Sequence, residues 1–343
     1  MQLTGSERIL VLKPSSLGDI VHTLPAVASI KRAFPETQID WLANTEWTPI
    51  LEGCPILNRV IAFPRREFKR LSGLWKGKKW AQETLGKIDY DLALDFQGLL
   101  RTGLLARLSG ATKIVGFQQA REGAHRLYGE RICVQNWQAM HAIDRNREIP
   151  AAFGIETAPV EFPFPVGDPV DPAPCSERPA LLLHPFSRGI GKSLSIEEVT
   201  EICHAVSPAP VWLVGMTNDS TAAHEWPENV TNYLNRTDLR QLITLIRAAA
   251  WTVSVDSGPM HLAAGISDRV LSIHTWSDPL MVGPWRPEAW IWRGGQIREM
   301  KTILPGEFPE LRAAKKKMES EQRLLSRDEI STMADFLQPR LQA

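Results

Sequence analysis

Seven prolines stand between positions 159 and 179, within the stretch TAPVEFPFPVGDPVDPAPCSERP (157–179). Each lacks a backbone N–H and holds φ near about −65°, so neither a helix nor a central strand can run through such a segment. It reads as an extended interdomain strap. The flanks must then bury their apolar residues separately, and 343 residues are enough for two cores.

The two flanks carry the same rhythm. Before the strap, β-rich runs at 8–13 (RILVLK), 38–43 (QIDWLA), 59–63 (RVIAF), 91–97 (DLALDFQ) and 113–117 (KIVGF) alternate with helical patterns at 19–33, 67–86, 98–109 and 137–153. After it, runs at 180–186, 210–215, 230–234, 251–257 and 270–275 alternate with helical patterns from Ser195 through Ala205 and at 219–226, 238–250 and 258–265. Ser195 with Glu198 and Ser326 with Glu329 have capping-box spacing, and the second pair opens an amphipathic final helix through Ile330, Met333, Phe336 and Leu337. The pattern predicts an α/β protein of two doubly wound domains, 1–156 and 180–325, with a C-terminal helix at 326–343 that packs back on the first. In such sheets ligands sit at the carboxyl ends of the strands, and two facing halves enclose a cleft.

Composition narrows the partners. Thirty-nine basic residues balance 39 acidic ones, which argues against a general nucleic-acid binder. The four cysteines (Cys54, Cys133, Cys175, Cys203) show neither CxxC pairing nor metal-ligand spacing, as expected of reduced thiols in a cytoplasmic protein. No apolar run reaches the roughly 18 residues of a membrane span. The N-terminal MQLTGSERILVLKP lacks the long apolar core of a signal peptide.

Four stretches carry chemistry. In KPSSLGDIVHTLPA (13–26), Asp19 follows the first strand where such sheets place ligands; it suits the N-cap of a helix beginning near Ile20, or a carboxylate facing a cleft. In SVDSGPMHLAAG (254–265) a strand ends in Asp256, Ser257-Gly258-Pro259 open a helix whose first amides form an anion site, and His261 lies one turn in. HPFSRGIGK (184–192) ends another strand and supplies Ser187, Arg188 and Lys192, a hydroxyl and cations suited to a diphosphate, although neither GxxxxGK[ST] nor GxGxxG occurs. FPRREFKRLSGLWKGKKW (63–80) sets Arg65, Arg66, Lys69, Arg70, Lys76, Lys78 and Lys79 against the single acid Glu67, with Phe68, Leu71, Leu74 and Trp75 at helical spacing. That is a basic amphipathic helix for anionic lipid or a phosphorylated ligand, or else a solvated face over an ordinary core.

Together with LALDFQGLLRTGLLARL (92–108) and MHAIDRNRE (140–148), these stretches resemble, in order and spacing, the ADP-heptose:lipopolysaccharide heptosyltransferases of glycosyltransferase family 9, inverting enzymes of the GT-B fold. RREFKR (65–70) and AREG (120–123) look similar to the heptosyltransferase I branch, which adds the first heptose to Kdo on lipid A. The resemblance implies two facing Rossmann-like domains, ADP-heptose as donor and no cofactor. By position, it places Asp19 on the proposed general base and Lys192, with Ser187, on the donor diphosphate loop. Asp256 and His261 fall where the heptose is held, Ser257 and Gly258 against the phosphates, and Thr237 on the donor side. Asp219, in GMTND, stands where a Glu commonly takes the ribose hydroxyls, and Ser187 where threonines are usual. WSDPLMVGP (276–284) keeps only part of a Gly-Pro-Thr-Asp-Pro turn. Arg65, Arg66 and Arg121 match basic positions that receive the anionic acceptor, with Ser15, Ser16 and Gly18 on the same acceptor side.

The implied chemistry is displacement at an anomeric carbon with ADP leaving. Lys192 and the helix start at 257 would neutralise the diphosphate in place of a metal ion. The implied location is the cytoplasmic face of the inner membrane, reached through the basic segment 65–79. A family member acting on a later core sugar, a GT-B-like sugar-nucleotide epimerase and a non-catalytic lipid-A-binding scaffold are the competing readings.

Overall fold

Strand β1 (Arg8–Leu12) is buried almost throughout and takes parallel neighbours on both sides, Leu10 lying opposite Asp40 on one and Ala93 on the other. Around it β2 (Gln38–Asn44), β3 (Arg59–Phe63), β4 (Leu92–Asp95), β5 (Lys113–Phe117) and β6 (Glu130–Ile132) form an all-parallel sheet in the order β3–β2–β1–β4–β5–β6. Sheets covered on both faces need unbroken apolar strands, which is why RILVL and LALD carry so few polar residues. Helices α1 (Leu17–Ala33), α2 (Gly73–Thr84), α3 (Leu100–Leu108) and α4 (Ala142–Ala152) join the strands. Helices α1 and α4 are tied by Asn146, whose amide donates to the His22 carbonyl (3.0 Å) and to the Thr23 hydroxyl (3.1 Å).

The second sheet repeats that order and extends it. It is built from β7 (Leu181–His184), β8 (Val211–Leu213), β9 (Val230–Asn232), β10 (Trp251–Val255), β11 (Val270–Ile273), β12 (Trp290–Arg293) and β13 (Gln296–Glu299), arranged β13–β12–β11–β10–β7–β8–β9. Only β13 runs antiparallel, paired with β12. The helices are α5 (Ile196–Ala205), α6 (Asp219–Ala222), α7 (Leu239–Ala248), α8 (Gly258–Ile266), α9 (Pro279–Val282) and, at the end, α10 (Arg327–Leu337). The computed structural model describes residues 3–68, 73–174, 178–187, 191–275, 277–307 and 323–342; Cys175, Arg188, Lys69, Arg70 and Leu71 lie outside them. Cys54, Cys133 and Cys203 are free thiols.

The chain divides into two units, Met1–Pro165 and Val166–Ala343. The strap is therefore apportioned between them rather than standing free. The Arg32 guanidinium, at the end of α1, donates to the carbonyls of Glu156, Ala158 and Pro159 and pairs with Glu161 at 2.6 Å. The Cys54 thiol donates to the Pro163 carbonyl (2.9 Å). On the other side Arg240 pairs with Asp168 at 2.7 Å, and the Tyr233 hydroxyl donates to the Pro172 carbonyl (2.8 Å). Proline denies the ladder its N–H but leaves each carbonyl to be claimed by a side chain.

The expected return of the C-terminal helix to the first domain is corrected. Ile330, Met333 and Leu337 of α10 join Val199 and Ile202 of α5 in the core of the second unit. The Leu325 N–H donates to Glu198 (2.5 Å) and the Gln338 amide to the Ala205 carbonyl (2.8 Å). Just beyond α10, Arg340 lies over the rings of Trp251, Trp290 and Phe336, which gives two of the twelve tryptophans a packing role.

Of the basic segment, the described residues Arg65–Phe68 form a 3₁₀ turn and Gly73–Thr84 form α2. Phe68 and Trp80 pack against Phe63, whereas Trp75 is 77% exposed with the Lys78 ammonium 5.8 Å from its ring. Trp75 thus belongs to the basic face and not to the core. Strands β6, β12 and β13 had no counterpart in the sequence reading; they are short, and β6 and β13 each carry two charged residues side by side.

Candidate active site

In the first unit α1 begins earlier than expected, with Ser16 as N-cap and Asp19 as the third helical residue. One Asp19 oxygen accepts from both the Ser16 N–H (2.9 Å) and the Ser16 hydroxyl (2.7 Å), yet the side chain stays 49% exposed. Helix capping and access to a ligand coexist at this carboxylate. Behind it stands Lys13, nearly buried, donating to the Phe96 carbonyl (3.0 Å) with its ammonium 3.9 Å from the other Asp19 oxygen. Burial lowers the Lys13 pKa, and the charges of Asp19 and Asp95 resist that shift. Arg145 of α4, whose guanidinium sits 5.0 Å from the Trp137 ring, is likewise lowered by burial and raised by Asp19.

Lys13 and Arg145 lie inside the quoted KPSSLGD and MHAIDRNRE stretches, but spacing alone assigned them nothing. Ser15 donates its N–H to Gln97 (3.3 Å) and Gly18 is buried in the first turn of α1. Arg65 and Arg66 are exposed after β3, and Arg121 is exposed after β5, its N–H on the Gly98 carbonyl (2.8 Å). All of these residues leave the carboxyl edge of one parallel sheet.

The corresponding edge of the second sheet holds a tighter cluster. Asp256 directly follows β10 and is 5% exposed; its Oδ2 takes the Lys192 ammonium at 2.5 Å and the Ser277 hydroxyl at 2.5 Å. Lys192 also reaches the Asp256 carbonyl (3.4 Å). Its loop is closed at the base by Ser193, whose hydroxyl accepts from the Ser187 N–H (2.8 Å) and donates to the Ser187 carbonyl (2.9 Å). Ser257 is the N-cap of α8, with Gly258 and Pro259 as the first two helical residues. The helix itself leaves the Gly258 N–H unbonded, and proline has none to leave.

His261, one turn in, is buried and adds positive potential at Asp256. His184, at the end of β7, lies 3.3 Å from the Ser257 hydroxyl and 3.2 Å from that of Ser254. Gly215 has φ +135°, and a Cβ there would come within 3.3 Å of the His184 ring, so the β8 turn needs glycine. Asp219 opens the short α6 and is exposed; Thr237 precedes Asp238, the N-cap of α7. The structure thus joins Lys192 and Asp256 directly and sets Ser257, Gly258 and His261 beside them. Asp219 and Thr237 share their edge without a bond to the pair. Ser277, which lies in WSDPLMVGP but to which the sequence assigns no role, bonds Asp256 directly.

Electrostatics here is dominated by burial. It would raise the Asp256 pKa, but His274, Lys192 and His261 outweigh it and hold the group at about 2. His184 and His274 are pushed by burial from 6.5 down to about 4. An unfolded chain therefore takes up protons that the folded one refuses. Stability should be full above about pH 6.5 and fall as pH drops towards about 4, by on the order of a few kcal/mol per histidine, with Asp256 adding loss below that. Melting temperatures at about pH 7 and about pH 4.5 check this; equal values would contradict it.

Chains of known structure share this architecture. Heptosyltransferase WaaC of Escherichia coli, solved with ADP, superposes with a TM-score of 0.69 at 23% identity, over 83% of this chain and 92% of that one. The chain belongs to glycosyltransferase family 9, the heptosyltransferases, whose model matches residues 80–304. It is 29% identical to lipopolysaccharide heptosyltransferase 1 of Pseudomonas aeruginosa, over 80% of this chain and 81% of the relative. It is 22% identical to lipopolysaccharide heptosyltransferase 3 of Escherichia coli, over 83% and 87%.

Proposed function

We propose that this heptosyltransferase moves heptose from ADP-heptose to the Kdo region of lipid A, with inversion and without a metal ion. The observation that carries the donor half is the Lys192–Asp256 pair in front of the α8 N-terminus. Lys192 and the Gly258 N–H are the groups that would meet the leaving diphosphate, where negative charge grows as the anomeric C–O bond breaks. Asp19 would take the proton of the attacking acceptor hydroxyl, for which its exposure suits it. Lys13 sets a positive charge 3.9 Å from that carboxylate.

The test is to incubate the protein with ADP-heptose and heptose-free Kdo–lipid A and weigh the product, with and without chelator. No added heptose would refute the acceptor assignment, and strong inhibition by chelator would refute metal independence. The likeness to a heptosyltransferase 3 favours one second reading, transfer to a later core sugar; a core already carrying heptose, offered in parallel, separates the two.

No described helix is long and apolar enough to cross a membrane. We place the enzyme at the cytoplasmic face of the inner membrane through the basic segment 65–79, whose Arg65, Arg66, Trp75 and Lys78 are exposed. Each basic residue near an anionic bilayer contributes about 1 kcal/mol. Charge reversal at Arg65 and Arg66 should therefore weaken binding to anionic vesicles about tenfold or more, raise the acceptor KM and leave ADP affinity alone. A folded double variant with normal vesicle binding and normal acceptor kinetics would reduce this face to solvated charge.

A further inference from the structure

We propose that His274 and Ser277 are positioning residues of the donor site, holding the Asp256 carboxylate through a one-way chain of hydrogen bonds. The inference rests on the donor-site reading above. Ser277 has a single hydroxyl hydrogen. Its Oγ lies 2.5 Å from Asp256 Oδ2, and an ionised carboxylate only accepts, so the hydrogen points there. The same Oγ lies 3.0 Å from His274 Nδ1. With its own hydrogen committed, the serine can only accept from the ring. The proton of His274 is therefore on Nδ1, and Nε2 carries the lone pair.

That assignment meets two independent observations. The ring is fully buried, and Nε2 has no hydrogen-bond partner among the described residues. Burial also keeps the ring neutral, which the single-proton chain requires. A buried imidazole with one orphaned nitrogen is costly, and here its other nitrogen serves one contact. The loop that carries Ser277 is fixed from both ends. Arg293 of β12 donates to the carbonyls of Ser277 (2.9 Å) and Thr275 (3.2 Å), and the Thr275 hydroxyl donates to the Gly191 carbonyl (2.9 Å), next to Lys192. The turn after β11 thereby grips both members of the Lys192–Asp256 pair.

The consequence is directional. Lys192 and Ser277 both occupy Oδ2, while Oδ1 has no hydrogen bond among the described residues. Asp256 is held with one oxygen spent on the protein and the other presented to a ligand hydroxyl, the class of group a sugar offers. Without Ser277 the carboxylate can turn about its χ2 and share both oxygens with Lys192.

The test uses Ser277→Ala, His274→Leu and the double variant, with Ser277→Thr and His274→Asn as conservative counterparts that keep a hydroxyl or an N–H in place. Each single loss should raise the KM for ADP-heptose about tenfold, the usual scale for a hydrogen bond to a charged group, with a smaller effect on kcat. The double variant should be no worse than the worse single, because His274 acts only through Ser277. Threonine and asparagine should recover most of the loss. An unchanged donor KM in Ser277→Ala, or additive losses that follow melting temperature without rescue, would overturn the inference. Should His274→Leu fail to fold, Ser277→Ala against Ser277→Thr decides alone. Lys192→Ala separates the two levels: normal ADP affinity there refutes the donor site, whereas weakened ADP binding beside a silent Ser277→Ala refutes only this chain.

Discussion

Asp19→Ala is expected to lower heptose transfer by about 10²–10⁴-fold, the usual contribution of a positioned general base, while ADP affinity stays within about twofold. The separation follows from the sheets. Asp19 leaves the carboxyl edge of the first, whereas every group assigned to the donor belongs to the second. One complication is built into the residue, because Asp19 also accepts from Ser16 at the start of α1. Removing that cap costs about 0.5–2 kcal/mol of stability. Asp19→Asn resolves it, since an amide oxygen can still accept from the Ser16 N–H but is no base. If both variants lose transfer alike and only the alanine melts earlier, the carboxylate is catalytic. An asparagine variant that transfers normally would leave Asp19 as a helix cap.

Lys192→Ala should weaken ADP binding by about 10–100-fold, the scale of a charged hydrogen bond, and should slow turnover further because the leaving diphosphate gains charge. Its effect has a second origin. Lys192 is 16% exposed and answers a carboxylate that is 6% exposed. With the ammonium gone, Asp256 keeps only the Ser277 hydroxyl among the described residues, and a buried, undercompensated charge either destabilises the fold or picks up a proton. Lys192→Arg should restore charge but not position, since the planar fork cannot fill a point contact at 2.5 Å. Calorimetry with ADP measures the first effect and single-turnover transfer the second. Unchanged ADP affinity in a folded Lys192→Ala protein would move the phosphate site elsewhere.

Strands and loops were legible to different depths. The central strands could be placed because parallel burial demands continuous apolar runs. Their ends were overrun where a polar turn follows: DLALDFQ stops as strand at Asp95 because that side chain accepts from the N–H groups of Gln97 and Gly98. Ser195 and Ser326 announced their helices through the box spacing, and both boxes are present. The pairing of Lys192 with Asp256 spans 64 residues, so local pattern offered each residue a strand end but not the other as partner. His274 and Ser277 were illegible for a related reason. Their role depends on which of two acceptors a single hydrogen chooses, and that is decided by distances in the folded sheet.

The packing of α10 bears on how the chain is made. Leu325, Ile330, Met333, Leu337 and Leu341 are core residues of a unit whose first strand begins at Leu181. A growing polypeptide emerging from the ribosome can therefore finish the first unit early, but it cannot close the second until position 341 has cleared the exit tunnel. For all that time α5 and the Trp251 and Trp290 rings lack part of their cover and are open to chaperones and to neighbouring chains. Limited proteolysis of ribosome-stalled chains should find the first unit resistant while the second is still cut; equal resistance in a chain stalled before residue 325 would disprove this order of events.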